Sequence, residues 1–323
     1  MSSQIINHGK VGIIGCGFVG SASAFALMQS GLFTEMVLID ANEEKAIGEA
    51  LDISHGSPYA SPIKIYAGGY DDIKDAAIVI ITAGANQKPD ETRLDLVHKN
   101  VAIFQSIIPE IVKRDFGGIL LIVANPVDIL TYVTLKLSGY PENRVIGSGT
   151  VLDSARLKNR LGQHLGVDSR SVHAFIVGEH GDSEIAVFSS ANISGIPLDD
   201  FCEMRGHYNH VEASKKIGEE VKGLAYEIIE RKGATYYGIA MAVKRICEVI
   251  VKDQKSILPV STMMHGEYGI SDVVMSMPCV VGKEGYETKV PIVLDQDEVT
   301  ALHESAATLK KVIADVEEGM RQQ

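Results

Sequence analysis

The sequence predicts an α/β fold: a doubly wound parallel sheet followed by a second, α+β part. Three observations carry this. Continuous apolar runs alternate with helical patterns through the first half of the chain. The turn after the first run has glycine at three set positions. Beyond about residue 150 the alternation gives way to long helices and a strand-rich tail.

The runs KVGIIG (10–15), MVLID (36–40), AAIVIITAG (76–84), ILLIVANP (119–126) and RVIGSGT (144–150) show no in–out alternation. Strands of that kind are covered on both faces, as in a parallel sheet. Helices are predicted between them at 21–30, 46–52, 94–114 and 127–138. The first domain is therefore assigned to 1–147 and the second to 148–323. In the second, a helix covers LDSARLKNRLGQHLG, and strands VHAFIVG and EIAVFSS follow. Two long helices cover about 209–231 and 235–252, and a meander of short strands comes next (SILPVSTMMHG, SMPCVVGKEG, ETKVPIVL). A last helix starts near Asp297. Its apolar residues Val299, Leu302, Ala306, Leu309, Ile313 and Val316 form one stripe, which is expected to dock on the parent domain rather than form a coiled coil.

A chain of 323 residues with 46% hydrophobic content has ample material for two packed domains with a cleft between them. The net charge of −12 argues against nucleic acid as a partner, because a phosphate backbone needs a basic face. No apolar run approaches a membrane span. The start MSSQIINHGK enters the first strand without a charged-then-apolar leader, so a cytoplasmic protein is expected. Cys16, Cys202, Cys247 and Cys279 form no CxxC and are read as reduced, buried thiols. No metal-ligand set emerges: His207 and His210 lack nearby partners and are read as a solvated helix start.

Gly15, Gly17 and Gly20 of GCGFVG form GxGxxG between a strand and a helix. The first glycine permits the turn, the second lets backbone approach a pyrophosphate, and the third lets helix and strand pack closely. The helix N-terminus offers free N–H groups to the anion. Asp40 ends the second strand twenty residues past Gly20. There a carboxylate accepts from ribose hydroxyls and repels a 2′-phosphate, so NAD is favoured over NADP. A glycine-rich structural turn with a strand-end Asp is the weaker alternative.

Downstream, His180 stands in VGEHGDSE with carboxylates on either side, and Arg93, Asp153 and Arg156 precede it. A histidine gives and takes a proton near neutrality, its ordinary pKa being about 6.5. A paired carboxylate raises that value and fixes the ring. Arginine grips a carboxylate in a two-point fork, which lysine cannot do. Bland readings exist for each: a structural histidine, an N-cap for Asp153, an intrahelical ion pair for Arg156, and a solvated loop charge for Arg93.

GCGFVG, NQKPDETRLDLV, ANPVD, GSGTVLDSARL and GEHGDSE, in this order and spacing, resemble the lactate/malate dehydrogenase family, and within it the bacterial L-lactate type. The resemblance runs from Lys10 to the last helix. It implies a Rossmann-type NAD domain, exchange between pyruvate and L-lactate, and a homotetramer. It implies His180 as proton donor, Asp153 as its partner, Arg156 on the substrate carboxylate, and Arg93 polarising the carbonyl from a closing loop. Asn125 belongs beside cofactor and substrate, Thr235 near the nicotinamide, and Phe18, Val19, Ala83 and Gly84 with the glycines on the cofactor. In relatives activated by fructose 1,6-bisphosphate, a basic residue and a histidine from each of two subunits face each other across a two-fold axis and hold the effector. Lys158 and His173 match them, although arginine is usual at the first. Asp90 stands where the family more often has glycine.

Malate enzymes meet a second substrate carboxylate with an arginine in this loop. Gln87 occupies the matching position, with Lys88 beside it. A neutral side chain leaves that carboxylate without a charge partner, which favours pyruvate over oxaloacetate. Malate is the runner-up substrate. A non-enzymatic NAD sensor is the reading from another class, since fold does not prove function. A sensor has no use for the full His/Asp/Arg/Arg set.

Overall fold

The computed structural model describes residues 6–85 and 92–321. Gln87, Lys88, Pro89 and Asp90 lie outside the described residues, and Arg93 is described by its backbone alone.

The first half reads β1 (Asn7–Ile14), α1 (Phe18–Ser30), β2 (Glu35–Ile39), α2 (Glu43–His55), β3 (Lys64–Ala67), β4 (Ala76–Ile81), α3 (Arg93–Val112), β5 (Ile119–Ile122), α4 (Val127–Ser138) and β6 (Val145–Gly147). These strands pair in parallel in the order β3-β2-β1-β4-β5-β6, the doubly wound order with its switch point between β1 and β4. The strand β3 was not anticipated. KIYA is four residues of partly exposed edge strand, too short to show a period.

Both faces are covered, as the continuous apolar runs require. In β4, Val79 and Ile81 pack with Phe104 and Ile108 of α3, while Ile78 and Ile80 pack with Leu27 of α1. The register sets the strand ends level: Ile39, Ile14, Ile81, Ile122 and Gly147 are successive cross-strand partners. The segments that leave these ends therefore emerge along one edge, where ligands of such sheets bind.

The second half reads α5 (Val151–Leu165), β7 (Val172–Val177), β8 (Ile185–Ile193), β9 (Ile196–Pro197), α6 (Leu198–Met204), α7 (His210–Lys232), α8 (Tyr237–Val251), β10 (Ser256–His265), β11 (Ser271–Gly282), β12 (Gly285–Lys289) and α9 (Gln296–Arg321). A small antiparallel sheet, β7-β8-β9, packs against α5 and α7 around Leu157, Leu161, Ile176 and Val221.

The expected meander of short strands differs from what forms. β10 and β11 are 10 and 12 residues long, and they extend the main sheet antiparallel to β6 through the pair Ser261↔Gly147. They are buried almost throughout, so they read as core rather than as a half-exposed meander. The stretch 290–294 forms no strand, and Pro291 within it lacks the donor that a ladder needs.

α9 buries Leu302, Ala306, Leu309, Ile313 and Val316 against the main core, so the stripe docks on the parent domain. The four cysteines are free and buried. His210 opens α7, but it is not the solvated residue expected: its side chain is 15% exposed and its Nε2 lies 3.7 Å from a carboxylate, Asp199 Oδ1 of α6. Among the described residues, no helix is long and apolar enough to cross a membrane.

Candidate active site

The glycine turn has the geometry its spacing predicts. Gly15 has φ +102°, and a Cβ there would meet the Ala83 backbone nitrogen at 2.5 Å. A Cβ on Gly20 would strike the Gly15 carbonyl oxygen at 1.9 Å, so helix and turn close only around glycine. A Cβ on Gly17 would meet nothing within 4 Å. The middle glycine thus faces open space at the start of α1, which fits a pyrophosphate approaching bare backbone. Asp40 sits at the same turn. Its Oδ2 accepts from the Cys16 N–H at 2.6 Å and its Oδ1 from the Asn42 N–H at 2.9 Å. Phe18 is exposed and Val19 half-buried at the start of the helix.

Ala83, Gly84 and Asn125 lie past the ends of β4 and β5. Asn100 of α3, fully buried, bridges the two ends. Its Oδ1 accepts from the Ala85 N–H and its Nδ2 donates to the Asn125 carbonyl, both at 2.7 Å. This clamp is not legible in the sequence, since one Asn in an amphipathic helix carries no pattern.

His180 follows β7 on a loop. Its Nδ1 lies 2.6 Å from Asp153 Oδ2. Asp153 Oδ1 in turn accepts from Arg156 Nη1 at 2.8 Å. Asp153 is the third residue of α5 and makes no N-cap bond, which removes the capping alternative. The intrahelical ion pair does form, and it shares its carboxylate with the imidazole. Burial opposes charge on Asp153, but His180 and Arg156 hold its carboxyl below the usual range. The ionised carboxylate can only accept, so Nδ1 carries the hydrogen and Nε2 is left to exchange a proton. Burial also opposes the imidazolium, yet the carboxylates of Asp153, Asp128 and Glu184 lift the His180 pKa to about 9.

His180, Asp153, Arg156 and Asn125 line one cavity of about 510 Å³, together with Leu96 and Val97 of α3. The first turn of α3 therefore borders this space. Arg93 is the first residue of that helix rather than a loop residue, behind a capping box of Thr92 and Asp95. Thr235 does not line the cavity. It precedes Tyr236, whose ring stacks on Phe18 at 5.3 Å beside the glycine turn. Lys158, on α5, lies under the field of Arg245, and burial with that neighbour lowers its pKa. His173 is exposed on β7.

Two carboxyls inside the quoted motifs, Asp128 of ANPVD and Glu184 of GEHGDSE, carry no assigned role in the sequence reading. Asp128 is 2% exposed and accepts from the His180 backbone N–H at 2.8 Å. Glu184 is buried on the cavity wall, where burial and the Asp153 charge push its carboxyl well up. Asp153, His180 and Glu184 bring ligand-type atoms within 4.8 Å of one another, two of them already joined in the ion pair.

A dinucleotide cradle at the switch point, together with a part-buried carboxylate–imidazole pair and an arginine lining one cavity, defines a nicotinamide-dependent dehydrogenase of small anionic substrates. Comparison with known proteins narrows the class. Residues 9–147 match the lactate/malate dehydrogenase NAD-binding domain, and residues 150–320 match the family's α/β C-terminal domain. The chain belongs to the lactate/malate dehydrogenase family of NAD-dependent oxidoreductases. It is 54% identical over 304 residues to an L-lactate dehydrogenase of Acetivibrio thermocellus, covering 94% of this chain and 96% of the relative. It is 52% identical to one of Thermoanaerobacterium saccharolyticum, covering 94% and 98%. The minor L-lactate dehydrogenase of Enterococcus mundtii, solved with ligands bound, superposes with a TM-score of 0.91 at 42% identity, covering 95% of this chain and 98% of that one.

Proposed function

We propose that the chain interconverts pyruvate and L-lactate with NADH and NAD, His180 being the proton donor and acceptor. The pairing of His180 with Asp153 inside the cavity that Arg156 and Asn125 also line carries this reading. Bound in the cradle, a nicotinamide supplies the hydride for the carbonyl carbon. The chain's residues do the rest. Arg156 spends one nitrogen on Asp153 and keeps its other donors for a substrate carboxylate. His180, charged at neutral pH, meets the growing charge on the keto oxygen and gives up its Nε2 proton. Asp153 holds the ring and stabilises its charged form. Arg93 is assigned to the carbonyl, Asn125 and Thr235 to the rim of the reacting centre, and Gln87 to substrate choice. A panel of 2-keto acids with NADH and NADPH tests the assignment. Fastest turnover of oxaloacetate, or none of any 2-keto acid, would refute it.

Cofactor choice is assigned to Asp40. Asp40→Ser removes the acceptor for ribose hydroxyls and the charge that repels a 2′-phosphate. The KM for NADH should rise about tenfold, ~1.4 kcal/mol, while NADPH use improves. Equal use of both cofactors by the wild type would remove Asp40 from this role.

The finer readings concern assembly and control. The chain is read as a cytoplasmic homotetramer, divided at 147/148 into cofactor and substrate domains. Phe25 of α1, Leu51 of α2 and Met241 of α8 leave large apolar surfaces exposed on α1 and the two helices that pack against it, which supports self-association. Lys158 and His173 are read as a fructose 1,6-bisphosphate site. Like charges from two subunits converging at a two-fold axis repel, and a bisphosphate bridging them relieves that repulsion. The pyruvate saturation curve should shift left with fructose 1,6-bisphosphate near neutral pH. The shift should vanish in Lys158→Ala and His173→Ala. An unmoved wild-type curve ends the effector reading.

A further inference from the structure

Three consecutive residues before and at the proton-transfer position are held from three different elements. Gly178 exchanges both backbone hydrogen bonds with Ser276 of β11, at 3.0 and 2.8 Å. The Glu179 N–H donates to Ser305 Oγ of α9 at 2.9 Å. The His180 N–H donates to Asp128 Oδ2 of α4 at 2.8 Å. Of these three acceptors only Asp128 is a carboxylate. Its other oxygen accepts from Ser261 Oγ of β10 at 2.5 Å.

A neutral acceptor suffices to hold an amide, as Ser305 does one residue earlier. A buried carboxylate is costly to charge unless something nearby gains from it. Asp128 lies in the first turn of α4, where the helix dipole favours a negative charge. Its Coulombic neighbours are His180 and Glu179. Around the His180 ring stand Asp153 of α5, Asp128 of α4 and Glu184 of its own loop; Arg156 bears on Asp153 and Glu184, Glu179 on Asp128, and Lys222 of α7 on Glu184.

We propose that Asp128 is a positioning residue for proton transfer: its carboxylate anchors the His180 main chain and, with Asp153, biases the imidazole toward its charged form. Burial raises the Asp128 carboxyl to about 6, against the pull of the Ser261 and His180 donors. The group is therefore ionised at neutral pH, where its charge acts on the ring. The inference rests on the reading of His180 as proton donor.

The test uses the full chain and whichever 2-keto acid the wild type reduces fastest. Asp128→Asn keeps an acceptor for the His180 N–H and removes the charge. The alkaline limb of kcat for reduction should move about one pH unit lower, with the Kd for NADH unchanged. Ser261→Ala removes one donor to the carboxylate, which stays charged at the pH of the alkaline limb, and loosens its hold. There kcat should fall several-fold while the limb stays at the wild-type pH. A limb in Asp128→Asn that superposes on the wild type's overturns the proposal, as does an equal shift in Ser261→Ala, which would point to packing rather than charge. If Asp128→Asn does not fold, judged by lost NADH binding, an unchanged kcat in Ser261→Ala overturns it. A wild type that reduces no 2-keto acid removes the underlying reading as well. Wild-type turnover with an unshifted Asp128→Asn removes this inference alone.

Discussion

His180→Asn is expected to lower kcat for pyruvate reduction by about a hundredfold to ten-thousandfold, the range general acid catalysis supplies. NADH should bind as before, because the cradle lies on α1 and β2 and makes no bond to this side chain. The pH profile gives a second reading. Reduction consumes the proton of the imidazolium, whose pKa is lifted to about 9. The rate should hold across neutral pH and fall above about 9, by about tenfold per unit. Lactate oxidation needs the neutral ring, so it should climb over the same interval and level off above it. A mutant with near-normal turnover, or profiles that run in parallel in the two directions, would remove His180 from the chemistry.

Gln87→Arg is expected to move preference from pyruvate toward oxaloacetate by about three powers of ten in relative kcat/KM, ~4 kcal/mol. Gln87 lies outside the described residues, so the argument is one of charge. A second substrate carboxylate entering the closed site beside a neutral amide loses its water and finds no counter-ion. A guanidinium supplies one in a matching fork. The same cation beside a methyl group loses its own solvent with no return, so pyruvate should suffer as oxaloacetate gains. The check is kcat/KM for both substrates in both proteins. An unaltered ratio would place substrate choice elsewhere.

Much of this was legible in the sequence, for identifiable reasons. GxGxxG between an apolar run and a helix is a local pattern, and each glycine meets its neighbours as the pattern requires. The helix expected at 127–138 has those bounds, fixed by Pro126 before it and Gly139 in the left-handed region after it. Asp153 and Arg156 were legible as helix neighbours three apart. That one carboxylate serves both Arg156 and His180 was not, because the bond to His180 spans 27 residues. Asp128 and Ser261 are 133 residues apart, and no periodicity connects them. Pro259 and Pro278 fall within the apolar runs of β10 and β11. The two prolines are register partners in the finished hairpin.

The junction of β6 with β10 has a consequence for reaction geometry. The turn that receives the cofactor leaves β1, and the loop that carries His180 is bridged to β11 at Gly178. Between them runs an uninterrupted ladder through β4, β5, β6 and β10. The cofactor turn and the His180 loop are thus tied into one hydrogen-bonded ladder. Part of the entropy of bringing them into register is therefore lost when the chain folds rather than in each turnover.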